Sequence, residues 1–222
     1  MDATRVLFVG AGEDYADSHV AGGGHESIII TPRVSLLQEL CASPVPSRHP
    51  AFQRVAKPIT PRMNMRVHRL LHLGASNDDP LAVDELMVAL LDEALAPTQR
   101  VARASPPRVV DRAKEVLHSQ LCEAISLADI ARAVQVSGAY LTAAFTRSEG
   151  MSLCRYRMRL RLNRALVELP RCEDVTRLAF TLGFSSHAHF SNSFKALFGV
   201  SPSAFRAEIG SRAPACSRGA RP

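Results

Sequence analysis

Five arginines stand within ten residues of the stretch CRYRMRLRLNRA, Cys154 to Ala165: Arg155, Arg157, Arg159, Arg161 and Arg164. Planar, permanently charged guanidiniums suit phosphate or carboxylate, so the chemistry this ladder offers is anion binding. A second cluster, HAHFSNSFK from His187 to Lys195, places imidazoles, an amide and an ammonium close together. His68 and His72 are four apart and can ligate a metal from one helix face, but with no carboxylate at a matching position they read as packing or solvent-facing residues. VGAG, residues 9–12, lacks the third glycine and the following helix of a dinucleotide-binding turn. The five cysteines (Cys41, Cys122, Cys154, Cys172, Cys216) are scattered and never form CxxC, which indicates neither a zinc ribbon nor a disulfide framework. No Ser/His/Asp or Cys/His arrangement has the local context of a nucleophile. The expectation is a protein that is not an enzyme, with no catalytic residues, metal or cofactor.

The charge distribution points the same way. Residues 1–105 carry 10 Lys+Arg against 12 Asp+Glu, a balance of −2, and the remainder carries 17 against 9, a balance of +8. A basic half beside a mildly acidic half suits one part that meets a polyanion and another that does something else, the bland alternative being a solvated basic surface. With no Trp and 5% aromatic residues, an extensive base-stacking platform is excluded. MDATRVLFVGAG has too short an apolar run for a signal peptide, and no segment approaches the ~18 to 20 apolar residues of a membrane span. The expected compartment is a reducing cytoplasm, with no membrane partner.

The elements that must position these residues follow from periodicity and punctuation. Residues 4–32 read as short strands and turns, with RVLFV and SIIIT as the strands. From 60 to 96 the pattern is helical. RMNMRVHRLLHLG ends at Gly74, and a second helix starts with Asp79 as N-cap and Pro80 as its first residue. Its stripe of Leu86, Met87, Leu90, Leu91, Ala94 and Leu95 is broad enough for a partner helix or a second subunit. APTQRVARASPP breaks both periodicities and reads as a linker, and beyond residue 208 a basic tail without periodicity is expected to be disordered.

Between linker and tail the chain repeats itself. Leu141, Phe145, Gly150, Ser152 and Tyr156 recur 49 residues later as Phe190, Phe194, Gly199, Ser201 and Phe205. Ala131, Val134, Val136 and Ser137 recur 48 residues later as Ala179, Leu182, Phe184 and Ser185. The one-residue change falls where each turn enters its second helix. Ser126 with Asp129 forms a capping box ahead of LADIARAVQ, and Asp174 caps VTRLAFTL, with Arg177 where a second carboxylate would help. Two short helices joined by a tight turn are how a major-groove reader is built, and two such units in a basic segment reinforce each other.

These stretches, above all RLAFTLGFSSHAHFSNSFKALFGVSPSAFR, closely resemble the DNA-binding domain of AraC/XylS-type transcription regulators, over about residues 106–208. The resemblance implies a mainly α fold: a tandem helix-turn-helix domain joined by one long linker helix, whose recognition helices enter successive major-groove segments of double-stranded DNA, with RNA polymerase helped or hindered as a result. Residues 4–40 more loosely resemble the later strands of the family's cupin-like sensor barrel, giving a short α+β region ahead of the domain. The resulting division is 1–45 sensor-like, 46–96 helical pair, 97–105 linker, 106–208 DNA-binding domain and 209–222 tail. About 100 residues leave no room for the opening strands of a full sensor. The chain is therefore expected either to have lost a ligand pocket, without a small-molecule effector, or to start upstream of Met1. Residues 80–95 sit where the family places dimer contacts, so a homodimer through Leu86, Leu90 and their neighbours is one expectation. A truncated regulator that titrates a full-length homologue through the same residues is the alternative function.

At 100° per residue, Leu141, Ala144 and Phe145 of the first recognition helix face inward and Ala139, Thr142, Ala143 and Thr146 outward, with Arg147 at the edge. In the second, Phe190, Ser193, Phe194 and Leu197 face inward, and Ala188, Ser191, Asn192 and Lys195 outward, flanked by His187 and His189. The resemblance implies base contacts for Ala139, Thr142, Ala143, His187, Ala188, Ser191 and Asn192. Arg, Gln or Trp often stand where this chain has Ala139, Thr142 and Ala143, so the second unit is expected to supply most hydrogen-bonded readout, with Asn192 for adenine and His187 for guanine. Ser191 suits a phosphate as well, and His189 reads as packed at the helix seam. Arg147, Arg157, Arg161 and Lys195 are expected on phosphates. The arginine ladder alternates like a half-buried strand, but between two such units it must be the connecting helix. Tyr156, Leu160 and Val167 then lie on one apolar side and Met158, Leu162, Ala165 and Leu166 on another, with Arg164 close to Glu168.

Overall fold

The computed structural model describes residues 5–9, 28–40, 56–76, 79–96 and 107–210. The linker and most of the tail named above, and the glycine-rich turns between residues 10 and 27, lie outside them.

Within residues 5–96 the chain forms strand β1 (Arg5–Leu7), helix α1 (Val34–Leu40), strand β2 (Ala56–Pro58), and helices α2 (Pro61–Ser76) and α3 (Pro80–Leu95). β1 and β2 pair antiparallel, with Arg5 opposite Pro58 and Leu7 opposite Ala56. The described residues there contain no further strand. SIIIT is one correction: residues 28–31 have the β-branched composition of a strand but no neighbour among the described residues to complete a ladder, and Ile28 and Ile29 are exposed while Ile30 packs beside Met63 and Leu90. The α1 helix within the stretch likened to barrel strands is another. Helix α2 also runs through Gly74 to Ser76, since a single glycine costs only about 1 kcal/mol, which packing on α3 can exceed.

Side chains pin this region together. Thr60 accepts from the Met63 N–H at 3.0 Å and starts α2 just ahead of Pro61. Asp79 accepts from the Ala82 N–H and starts α3. The Lys57 ammonium donates to the carbonyls of Glu93, Ala94 and Ala96 at 2.9, 3.0 and 2.9 Å. A cation thus satisfies carbonyls that the end of α3 leaves open, where the helix dipole also favours it. Arg66 and Glu93 tie α2 to α3.

Helix α3 turns its apolar stripe inward. Leu90 and Ala94 pack with Met63, and Leu95 packs with Leu37. Leu90 is 3% exposed, which removes it from any dimer surface. The apolar residues left exposed on α3 are Leu81 and Val88, beside Asp84, Glu85 and Asp92, and a second copy meeting this face would bring like charges together.

Residues 107–210 hold the remaining seven helices: α4 (Arg108–Ser119), α5 (Leu127–Ala133), α6 (Gly138–Glu149), α7 (Leu153–Glu168), α8 (Val175–Thr181), α9 (His187–Phe198) and α10 (Pro202–Gly210). They enclose two cores. Val110, Ala113, Leu117, Ile130, Ala131, Val134, Leu141, Phe145, Tyr156 and Leu160 form the first. Leu162, Leu166, Leu169, Leu178, Phe184, Phe190, Phe194, Phe205 and Ile209 belong to the second. Ile209 seats α10 in that core, so ordered helix continues past residue 208. Helix α7 serves both cores, giving Tyr156 and Leu160 to one and Leu162, Ala165 and Leu166 to the other. Only Val167 departs from the expected two-faced helix, at 41% exposed.

The helical pair does not stand apart from this domain. Met65 of α2 lies in the second core, Arg69 bonds Glu208 of α10 at 2.9 Å, and Arg159 of α7 donates to the Ile59 carbonyl.

Candidate nucleic-acid interface

Each unit positions its second helix by the same devices. Ser126 and Asp129 complete the capping box of α5, and Ser126 holds the Asp129 carboxyl below its ordinary pKa by hydrogen bonding to its charged form. Asp174 starts α8 by accepting from the Thr176 N–H at 2.7 Å. Ser137 caps α6 through the Tyr140 N–H and Ser186 caps α9 through the His189 N–H. The capping serines are therefore 49 residues apart, which makes Ser186, not Ser185, the partner of Ser137 and leaves Ser185 as the extra residue of the second turn. Both second helices stop on a left-handed glycine, Gly150 at φ 72° and Gly199 at φ 84°.

The turns also agree in backbone but not in residue. Gln135 has φ 59° and Gly183, 48 residues on, has φ 79°. A Cβ on Gly183 would stand 2.5 Å from a guanidinium nitrogen of Arg161 and 2.7 Å from the Cys122 carbonyl oxygen, so glycine is required there twice over.

That contact explains two of the arginines. Arg157 donates to the carbonyls of Leu121, Glu123 and Ile125, and Arg161 donates to those of Leu121 at 2.9 Å and Gly183 at 2.6 Å. Burial, and then the charge of Arg157, draw the Arg161 pKa below its ordinary value. Both guanidiniums, expected on phosphates, are turned to the loop ahead of α5 and the turn of the second unit. The repeat carries this brace as well: Arg206, 49 residues after Arg157, donates to the carbonyls of Cys172 and Glu173 ahead of α8 at 3.2 and 3.1 Å. Arg206 was legible from the offset alone. Arg164 pairs with Glu168 at 2.6 Å.

The groove faces stand free of these contacts. Ala139, Thr142, Ala143, Thr146 and Arg147 of α6 are exposed, as are His187, Ala188, Asn192 and Lys195 of α9, while Ser191 is half-buried. Thr142 Oγ1 donates back to the Gly138 carbonyl at 2.9 Å. His187 Nε2 and Ser191 Oγ are 3.3 Å apart. His189, read from the sequence as packed at the helix seam, is exposed and sits 3.3 Å from Ser185 Oγ and edge-on to Phe184. Tyr140 is 54% exposed beside the first face. His68 and His72 lie on α2. Burial, and next to it His72, lower the His68 pKa to about 4. Burial and Arg171 lower that of His72. Among the described residues no group of three or more His, Cys, Asp or Glu is gathered as a metal site.

Two capped helix-turn-helix units sharing one connecting helix, each with an exposed second helix, define a tandem helix-turn-helix domain. Residues 130–208 match the family model described as a helix-turn-helix domain. The Msm operon regulatory protein of Streptococcus mutans serotype c is 32% identical over 127 residues, covering 56% of this chain and 45% of that relative. The uncharacterized HTH-type transcriptional regulator YidL of Escherichia coli strain K12 is 36% identical over 98 residues, covering 44% of this chain and 33% of that relative. A transcriptional regulator from Chromobacterium violaceum, of proteins containing an AraC-type DNA-binding domain, has a solved structure with 28% identity and a TM-score of 0.44, covering 50% of this chain and 96% of that one. Over this domain the chain is thus similar to proteins described as transcription regulators. The chain spans less than half the length of the curated relatives it matches.

Proposed function

We propose that this protein is a sequence-specific regulator of transcription that places α6 and α9 in successive major-groove segments on one face of DNA, about 34 Å apart. The observation that carries the reading is the duplication in three dimensions: two helices at equivalent positions of two capped units, each turning an exposed face outward. Asn192 and His187 supply hydrogen-bonded base readout, and Ala139, Thr142, Ala143, Ala188 and Ser191 line the remaining groove contacts. Arg147 and Lys195, exposed near the C-terminal ends of the two helices, meet phosphates. RNA polymerase is the partner on which occupancy of the site acts.

Mobility shift of random duplex fragments, in competitor DNA at near-physiological salt, tests this. Selective retention is expected, and uniform binding of every fragment would sink sequence-specific recognition. Asn192→Ala should erase preference at one base pair, worth about 1 to 3 kcal/mol of discrimination, with nonspecific affinity nearly unchanged.

A further inference from the structure

The groove face of α6 has an unusual chemical character. Its exposed residues over the first turn and a half are Ala139, Thr142 and Ala143. The alanines carry methyl groups only, and the Thr142 hydroxyl proton is already donated to the Gly138 carbonyl at 2.9 Å. These three positions offer a base edge methyl carbon and no hydrogen-bond donor. Tyr140 and Arg147 lie at the border of the face, on the side of Ala144, and Thr146 follows one turn later. In contrast, α9 presents an imidazole and an amide at His187 and Asn192.

The apolar feature of the major groove is the C5-methyl group, which thymine carries and cytosine lacks. We infer that the first unit recognises C5-methylated pyrimidines through Ala139, Thr142 and Ala143, reading the methyl and not the hydrogen-bonding edge. A consequence separates this from ordinary thymine preference. 5-Methylcytosine has the same methyl in the same place with a different donor pattern, so the first half of the site should bind it, like thymine, more tightly than its unmethylated counterpart. The chemical state of a cytosine in that half would then change binding.

The inference rests on the DNA-binding reading above, and one experiment separates their failures. The whole chain is used to enrich sites from a random-sequence duplex library. The enriched site is then resynthesised with deoxyuridine for thymine, one half at a time, and with cytosine or 5-methylcytosine, opposite guanine, at the sensitive positions. In the half whose preference Asn192→Ala leaves alone, each contacted thymine changed to deoxyuridine should weaken binding about fourfold, the worth of one buried methyl. 5-Methylcytosine should bind more tightly than cytosine there, and Thr142→Ser, which deletes a methyl and keeps the hydroxyl, should shrink the deoxyuridine penalty. Selective binding with no deoxyuridine penalty in that half, or with 5-methylcytosine no better than cytosine, overturns the methyl readout and leaves the regulator reading standing. Failure to enrich any sequence overturns both.

Discussion

The two helix-turn-helix units follow one backbone plan and stabilise it differently. The second encloses a chain of aromatic rings, with Phe184 and Phe190 at 5.1 Å, Phe194 and Phe198 at 4.7 Å, and Phe205 beside Phe194 at 6.0 Å. The first has Phe145 against Tyr156 at 5.3 Å, and into the same space it brings a charged pair, Lys114 and Glu149, 2.7 Å apart. The Lys114 ammonium also lies 5.7 Å from the Tyr156 ring centre. An aromatic core needs only shape, whereas an ion pair with side chains 10% and 9% exposed is stable only while both partners are present. The turns differ in the opposite sense: the first tolerates Gln135 at positive φ, and the second, pressed by Arg161, requires Gly183. Duplication thus preserves caps, turn backbone and arginine brace, while the groups inside each core and on each groove face are free to diverge.

The largest expected effect breaks the first unit alone. Glu149→Ala leaves the Lys114 ammonium without its carboxylate in a nearly dry site and should cost about 3 kcal/mol in urea unfolding. Lys114→Met combined with Glu149→Leu should recover most of it, and an equal loss in the double variant would show that the charges are not the cause.

The second effect belongs to α2, which braces the second core. His68 has a folded pKa of about 4 against 6.5 in the ordinary state. The unfolded chain therefore binds the extra proton between these values, and stability is complete above pH 6.5 and lost as pH falls toward 4. The full loss amounts to about 3 kcal/mol. Urea midpoints at pH 7 and pH 5 should differ in the wild type and differ less in His68→Gln, where the lowered pKa of His72 remains.

Exchanging turn residues sharpens the comparison further. Gly183→Ala should destabilise by about 2 kcal/mol, because it strains a positive φ and displaces Arg161. Gln135→Gly, at the equivalent position, should change stability by less than about 1 kcal/mol, since relief of the left-handed strain offsets the added freedom of the unfolded chain. Thermal unfolding of the two variants checks the contrast.

The smallest effect distinguishes a brace from a DNA contact. Lys195→Ala should lower the salt dependence of DNA binding by about one phosphate, with stability unchanged. Arg157→Ala should lose about 1 to 2 kcal/mol of stability through its loop carbonyls and leave the salt slope alone. A reduced slope in Arg157→Ala would return that residue to the phosphate backbone.

The chain's local chemistry was sufficient for much of this. The caps at Asp79, Ser126 and Asp174, the repeat at 48 to 49 residues and the two apolar sides of the Leu153–Glu168 helix all depend on contacts within a few residues or on helical period, and those are written in sequence order. SIIIT failed because a strand needs a partner from elsewhere in the chain, and none of the described residues supplies one. Local reading also could not say which of the five arginines faces solvent. Arg157 and Arg161 have the composition of phosphate ligands, and only the return of the Leu121–Ile125 loop and the Gly183 turn to within hydrogen-bond reach makes them internal donors. In the same way, the sequence by itself determined that α3 would be broadly apolar, while the tertiary structure decided that Met63 and Leu37 cover that stripe and that Met65 joins α2 to the second core. Hydrophobic burial has no direction of its own, so which surface covers which is settled by the whole chain at once.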